Sequence, residues 1–218
     1  MTHPYKNYLL CRDNYFSDPD LIASLSKDLE YNHSVYYPGR RTDNLIVSSD
    51  PRVRDFAVWF ADRISFDIFP GIQTYETVVC FHINDVCKDE EFNAGWIHND
   101  IGNMAGLVYL TKDESDFNSG TSIFNGSGEE LPTDTEARRQ FHFTGKVTPE
   151  YATGFRRNKE LFKETIRIGN QYNRLIAYDS KMFHRPNSFV TSSKQPRLSL
   201  LFFVSKFTYI QNTGNINE

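Results

Sequence analysis

From Gly71 onward the chain is a succession of short segments rich in β-branched and aromatic residues, separated by turn residues. Segments of this kind predict β-strands, which we place at 72–83, 96–100, 105–110, 121–124, 174–178 and 197–207. Many short strands with turns between them favour a sandwich or barrel over alternating β/α units. The sequence therefore predicts a mainly β (α+β) fold with a cupin-like jelly-roll core, a double-stranded β-helix.

Two helices are predicted before this region. Asp18-Pro19 and Asp50-Pro51 each combine a capping residue with proline at the first helical position. Apolar residues follow at helical spacing, so both helices are expected to pack against the sheet. Because the 218 residues show no break in composition, we expect one domain at 1–218. Its parts would be an N-terminal helical layer at 1–70 and a jelly-roll core at 71–210.

An insert at 126–170 interrupts the predicted strands and is far longer than the usual connection of roughly 4 to 6 residues. It contains a predicted helix at 149–167, where basic residues are balanced by acidic ones. A solvated helix face and a lid over a site are both compatible with this pattern. The turn-rich segment 36–45 leaves a similar choice for Arg40 and Arg41, between a solvated loop and a substrate-facing one.

Charge and composition exclude several classes of protein. A net charge of −4 and a pI near 5.9 give no support for a nucleic-acid partner, which needs a concentrated basic surface. No apolar run approaches the ~18 residues of a membrane helix, so we expect no membrane partner. The three cysteines lack disulfide or zinc spacing and the first residues lack a signal-peptide core. These features favour a cytoplasmic protein.

The stretch GWIHNDIG places His98 and Asp100 two residues apart in a predicted strand, so both side chains point to the same face. They could form a structural hydrogen-bonded pair or part of a metal site. His184, at a bend after the predicted strand 174–178, is a candidate third ligand. Two histidines and one carboxylate form the facial triad that holds non-heme Fe(II) and leaves coordination positions open.

Arg197 begins the most apolar predicted strand, RLSLLFFV. Alternation places Arg197, Ser199, Leu201 and Phe203 on one face. The planar guanidinium of Arg197 suits a carboxylate bound through two hydrogen bonds. Ser199 could donate to the same carboxylate or bond to the backbone, and Tyr109 could reach the cavity or be a core tyrosine. His82 is interpreted as a sheet residue and Trp96 as core in preference to a substrate platform.

The order His98-x-Asp100, His184 and Arg197-x-Ser199 resembles the Fe(II)- and 2-oxoglutarate-dependent dioxygenases, in particular their prolyl-4-hydroxylase-like branch. GLVYLTKD, SGTSIF and YNRLIAYDSKMFHRPNSF resemble segments of that branch, and the match covers roughly 75–206. The resemblance implies Fe(II) on His98, Asp100 and His184. It also implies 2-oxoglutarate held by Arg197 with Ser199 or Tyr109.

The implied activity uses dioxygen to hydroxylate an unactivated C–H bond, with release of succinate and CO2. The substrate would be a peptide or protein side chain, including proline, or a small metabolite. Two other classes stay open at this point: a cupin-like metalloenzyme that does not use 2-oxoglutarate, and a jelly-roll binding module without catalysis. A nucleic-acid demethylase is disfavoured by the negative charge. Specificity would lie in the loops at 36–45, 86–95 and 126–170.

Overall fold

The computed structural model describes residues 8–67, 72–112, 116–126, 135–191 and 193–209. Its helices are α1 (Pro19–Leu25), α2 (Pro51–Asp62), α3 (Glu136–Thr144) and α4 (Pro149–Glu160). Its strands are β1 (Leu9–Arg12), β2 (Asn32–His33), β3 (Arg40–Arg41), β4 (Ile72–Ile83), β5 (Met104–Tyr109), β6 (Asp116–Gly126), β7 (Phe162–Asn170), β8 (Leu175–Asp179), β9 (Phe183–Pro186) and β10 (Leu198–Tyr209).

The strands form two antiparallel sheets. The major sheet has the order β1-β8-β5-β10-β4-β3-β2, and the minor sheet has the order β7-β6-β9. Side chains of both sheets share one apolar cluster, in which Leu107 and Leu201 of the major sheet accompany Ile123 and Ile168 of the minor sheet. The sheets therefore face each other, and the predicted mainly β architecture is confirmed.

The N-terminal helices cover the outer face of the major sheet. Asp50 caps α2 by accepting from the backbone N–H of Arg52, and Pro51 occupies its first turn, which confirms the predicted start of this helix. Phe60 of α2 is fully buried and its ring contacts that of Phe202 on β10 at a centroid distance of 5.7 Å. Burial of an aromatic side chain of this size stabilises the fold by roughly 1.5–3 kcal/mol.

The period-2 pattern of β10 divides its side chains as predicted. Leu200 and Phe202 belong to the outer apolar cluster beneath the helices, whereas Leu201 and Phe203 lie on the inner face between the sheets. Arg197 shares that inner face and contributes to a cavity there. The sheet thus carries polar functional groups on its inner face and apolar packing groups on its outer face.

The segment 96–100 is less regular than the predicted strand. It pairs with β9 through one bridge, in which His98 and His184 exchange backbone hydrogen bonds of 3.0 and 2.8 Å. Gly95 extends the contact by donating to the carbonyl of Pro186 at 3.0 Å. The segment therefore lies beside the minor sheet as a short, mostly unpaired edge.

The predicted helix at 149–167 is wrong beyond Glu160. Residues 162–170 form β7, which pairs with β6 in the register Ile123 with Ile166 and Thr121 with Ile168. The balanced charges of this segment are compatible with a solvated helix face, but pairing with β6 overrides that local signal. Of the 126–170 insert, the described residues outside the minor sheet consist mainly of α3 and α4.

Candidate active site

Three potential metal ligands come together at a cavity between the two sheets. The ligand atoms of His98, Asp100 and His184 all lie within 4.8 Å of one another. Nε2 of His184 is 3.3 Å from Asp100 Oδ2, and Nε2 of His98 is 3.7 Å from Asp100 Oδ1. In the described part of the chain no other group of three His, Cys, Asp or Glu side chains has this spacing. The structure thus brings His184 to the His98-Asp100 pair.

Backbone carbonyls orient both imidazoles. Nδ1 of His98 is 2.8 Å from the carbonyl oxygen of Trp96, and Nδ1 of His184 is 2.9 Å from that of Met182. A carbonyl oxygen only accepts, so Nδ1 carries a proton, and in the neutral imidazole each Nε2 then has the free lone pair on the side of Asp100. This is the tautomer that a metal ligated through Nε2 requires.

The charges in the site favour the ligating forms. Burial, and then the neighbouring His184 and Arg138, hold the pKa of His98 well below its usual value, although Asp100 acts in the opposite direction. Burial raises the pKa of Asp100, but attraction to His184, His98 and Arg41 outweighs it and holds this pKa well below its usual range. A neutral imidazole beside an ionised carboxylate is the combination that metal binding needs.

The insert supports the segment that carries His98. Asn158 of α4 is fully buried, and its Oδ1 accepts from the backbone N–H of Ile97 at 2.8 Å while its Nδ2 donates to the Ile97 carbonyl at 3.0 Å. On the other side of the pair, the N–H of Asp100 donates to the carbonyl of Ser180 at 2.8 Å. The backbone on both sides of His98 is therefore fixed by contacts that the sequence did not reveal.

Arg197 places a guanidinium in the cavity wall. It is 3% exposed, and its Nη1 donates to the backbone carbonyls of Ser119 and, at 3.1 Å, of Gly120. Its Nε has no hydrogen-bond partner, and no ion pair of Arg197 is found, among the residues that the structure describes. A buried guanidinium without a carboxylate is a strong candidate for binding an anionic ligand.

Tyr109 and Ser199 lie beside Arg197 but are not among the described residues that line the cavity. The guanidinium of Arg197 lies 5.6 Å from the Tyr109 ring centroid, and the Tyr109 hydroxyl is 2.8 Å from Oγ1 of Thr121, which does line the cavity. Oγ of Ser199 is buried and has no hydrogen-bond partner within the described chain. Their roles toward a ligand stay predictions.

Two residues of the cavity wall, Asn84 and Tyr178, were not singled out in the sequence, and for a third, Arg41, the sequence left open a solvated or a substrate-facing loop. Asn84 is 1% exposed, and neither atom of its side-chain amide has a hydrogen-bond partner in the described ranges. Its backbone N–H donates to the carbonyl of Arg197 at 3.2 Å, which places the two residues side by side, directly after β4 and directly before β10. The ring of Tyr178 lies 4.6 Å from that of His184. Arg41 also lines the cavity. The period-2 alternation that places His82 on the inner face predicts the same for Asn84.

The cavity has a volume of about 380 Å³. Aromatic residues form much of its wall, including Tyr37, Trp96, Phe189 and Phe203. Trp96 is 4% exposed and packs with Tyr151 and Phe155 of α4, as predicted for a core residue, and it also lines the cavity. His82 is buried with Nε2 2.7 Å from the carbonyl of Pro38, in agreement with its interpretation as a satisfied sheet residue.

Comparison with known proteins gives matches in structure alone. No family model matches the sequence, and no curated protein matches it. HygX from Streptomyces hygroscopicus, solved with nickel and 2-oxoglutarate bound, aligns with a TM-score of 0.53 at 13% identity over 94% of this chain and 85% of HygX. This chain has the fold of a 2-oxoglutarate-Fe(II) oxygenase.

Two further structures support the same fold. An oxidoreductase of the 2OG-Fe(II) oxygenase family from Burkholderia pseudomallei has a TM-score of 0.52 and 12% identity, over 90% of this chain and 84% of that chain. The alpha-ketoglutarate-dependent epimerase SnoN from nogalamycin biosynthesis has a TM-score of 0.52 and 10% identity, over 94% and 81%. These likenesses confirm the predicted jelly-roll core.

None of the helices in the described part of the chain has the length and apolar character of a membrane span.

Proposed function

We propose that this protein is an Fe(II)- and 2-oxoglutarate-dependent dioxygenase. One observation carries the proposal: the cluster of His98, Asp100 and His184 and the carboxylate-free guanidinium of Arg197 meet in the same cavity. A metal alone would explain the cluster, and an anion alone would explain Arg197. A cosubstrate with two carboxylates that also chelates the metal explains both.

The residues fit both groups. His98 and His184 offer Nε2, Asp100 offers a carboxylate oxygen, and two imidazoles with one carboxylate suit Fe(II) while leaving coordination positions open. Arg197 has an unused Nε for the distal carboxylate of 2-oxoglutarate, and the neighbouring Asn84 has an unused amide. Tyr109 and Ser199 would complete this end by holding the Arg197 side chain or by donating to the carboxylate.

With the metal and cosubstrate bound, the site would supply oxidation by dioxygen, with succinate and CO2 as products and hydroxylation of a C–H bond of the substrate. The chain's own residues contribute positioning and exclusion of water. His98 and His184 are held by carbonyl hydrogen bonds, and aromatic side chains form much of the cavity wall. The proposal includes two kinds of substrate. One is a peptide side chain, including proline as in the prolyl-4-hydroxylase-like branch, and the other is a small metabolite.

The test is an anaerobic titration of the metal-free protein with Fe(II) and 2-oxoglutarate, followed by the visible charge-transfer absorption of the metal chelate. We expect a band that requires both additions and is lost in Asp100→Ala. Asp55→Ala is the control, since Asp55 is exposed on α2 and its loss should leave the band unchanged.

Other outcomes favour the rival functions. Iron binding without the band would indicate a metalloenzyme that does not use 2-oxoglutarate, and Arg197 would then lose its assigned ligand. Failure of both wild type and Asp55→Ala to bind iron would indicate a binding module without catalysis.

A further inference from the structure

Arg41 brings a second guanidinium to the cavity, from β3 beside His82 of β4. Its guanidinium carbon lies 4.0 Å from the ring centroid of Tyr37 and 5.4 Å from that of Phe203. The preceding residue Arg40 pairs instead with Asp85, with Nε 3.2 Å from Oδ1. Successive residues of a strand point to opposite faces, which explains why the two arginines have different surroundings.

Rings hold the Arg41 side chain and leave its hydrogen-bond donors available. Its Nε is buried and has no hydrogen-bond partner among the described residues. None of the ion pairs found within those residues includes Arg41. A cation in an aromatic-walled cavity gains from the ring faces, but its N–H groups still require acceptors. An anionic group of a ligand would satisfy them.

Once Asp100 is assigned to the metal, the cavity leaves Arg41 without a carboxylate of its own. Asp100 is the one carboxylate among the described lining residues, and it is assigned to the metal. The charges of Fe(II) and of 2-oxoglutarate cancel, and those of Arg197 and Asp100 cancel as well, so one positive charge remains. Arg138 lines the cavity too and has further interactions of its own, and the excess positive charge does not depend on it.

We infer that the substrate is a small molecule with an acidic group, a carboxylate or a phosphate, which Arg41 binds. This inference rests on the proposed function and names the substrate class of the same site. A planar guanidinium fork matches both kinds of anion, and the rings of Tyr37 and Phe203 would pack against the apolar part of the molecule. The cavity of about 380 Å³ also holds 2-oxoglutarate in the proposed function, and the remaining space suits a small molecule.

The test uses simple aromatic acids and their uncharged counterparts as probes. Protein loaded with Ni(II) and 2-oxoglutarate is titrated calorimetrically with benzoate, phenyl phosphate, benzamide and phenol. We expect at least one acid to bind about tenfold or more tightly than its uncharged counterpart, the usual effect of a charged hydrogen bond. Comparison of benzoate with phenyl phosphate shows which anion the site prefers.

Three variants locate the effect. Arg41→Gln should abolish the preference for the acid, Arg41→Lys should keep part of it because the charge stays, and the neighbouring Arg40→Gln should keep all of it. Thermal unfolding verifies that each variant is folded, and the comparison of acid with uncharged probe in the wild type needs no variant. Equal binding of both probe types, no saturable binding, or equal losses in Arg40→Gln and Arg41→Gln would overturn the inference.

The two proposals can fail separately. An acid preference that disappears in Arg197→Gln but persists in Arg41→Gln would show that the probes occupy the cosubstrate position, which overturns the acid site. If 2-oxoglutarate does not bind but the preference still depends on Arg41, the acid site stands and the proposed oxygenase function fails. If 2-oxoglutarate binds normally and no preference is found, the function stands and the acid site fails.

Discussion

Replacement of Asn158 by alanine should weaken metal binding although Asn158 is not a ligand. The variant removes two hydrogen bonds, of 2.8 and 3.0 Å, to the backbone of Ile97. Because Ile97 is 1% exposed, its N–H and carbonyl would lose their partners in a buried place. Two such losses amount to about 2–6 kcal/mol. Part of this free energy is lost from the stability of the fold. The other part appears as a looser segment around His98.

We expect the dissociation constant of Ni(II) or Mn(II) to rise roughly ten- to hundredfold, the range found when groups that orient metal ligands are removed. A competition titration against a chromophoric chelator measures this constant, and thermal unfolding of the metal-free protein measures the loss of stability. The metal-free measurement matters because a bound metal would itself stabilise the variant.

Asn173→Ala is the matched control. Asn173 makes the same pair of hydrogen bonds to the backbone of Phe16, of 2.9 and 2.8 Å, on the helical side of the molecule. Its φ of 63° is unfavourable for alanine, so this control should lose at least as much stability as Asn158→Ala. Unchanged metal affinity in Asn158→Ala, or an equal loss of affinity in Asn173→Ala, would refute the positioning role.

Three other predictions concern single side chains. His184→Ala should lose metal binding in the chelator competition, while the exposed His33→Ala should not. Arg197→Gln should raise the 2-oxoglutarate concentration that the charge-transfer band needs, by about tenfold or more, with iron binding unchanged; the exposed Arg52→Gln is its control, and an unaltered requirement would assign the carboxylate elsewhere. Burial holds the pKa of His82 well below 6.5, so below about pH 6.5 the unfolded chain binds a proton that the folded one does not, and stability falls as the pH falls. His82→Gln should reduce this slope by up to about 1.4 kcal/mol per pH unit, as measured by urea unfolding between about pH 5 and pH 7, and identical slopes would contradict it.

The longer strands of the core, β4, β5, β8 and β10, could be predicted with their faces because both depend on local patterns, whereas the short strands β1, β2, β3 and β9 were not predicted. Strand β4 has the predicted bounds of 72–83, and the inward positions of Arg197, Leu201 and Phe203 follow from alternation alone. That His184 lies beside His98 and Asp100 could be predicted from the order in which their motifs occur along the chain. Neither distances nor tautomers could be deduced, because they depend on how β9 and the segment 95–100 pair across a sequence separation of more than eighty residues.

The parts that escaped prediction depend on contacts that leave no local pattern. Residues 162–167 have helix-compatible charges, and only the partner strand β6 makes them a strand. Arg40 and Arg41 are chemically identical in the sequence, and the cavity distinguishes them only because β3 pairs with β4. That residues 1–218 form one domain, and that the protein is cytoplasmic, stay predictions.

The most consequential of these contacts joins the insert to the metal ligands. The segment that carries His98 has only one bridge to the minor sheet, so its position depends on what packs against it. On one side this is α4, through Asn158 and through Gly154, where an added Cβ would lie 2.7 Å from the Trp96 ring. From the sequence, the insert could be a solvated helix face or a lid. The structure adds a third role. Its helices support the segment that carries His98, and they are therefore part of the site.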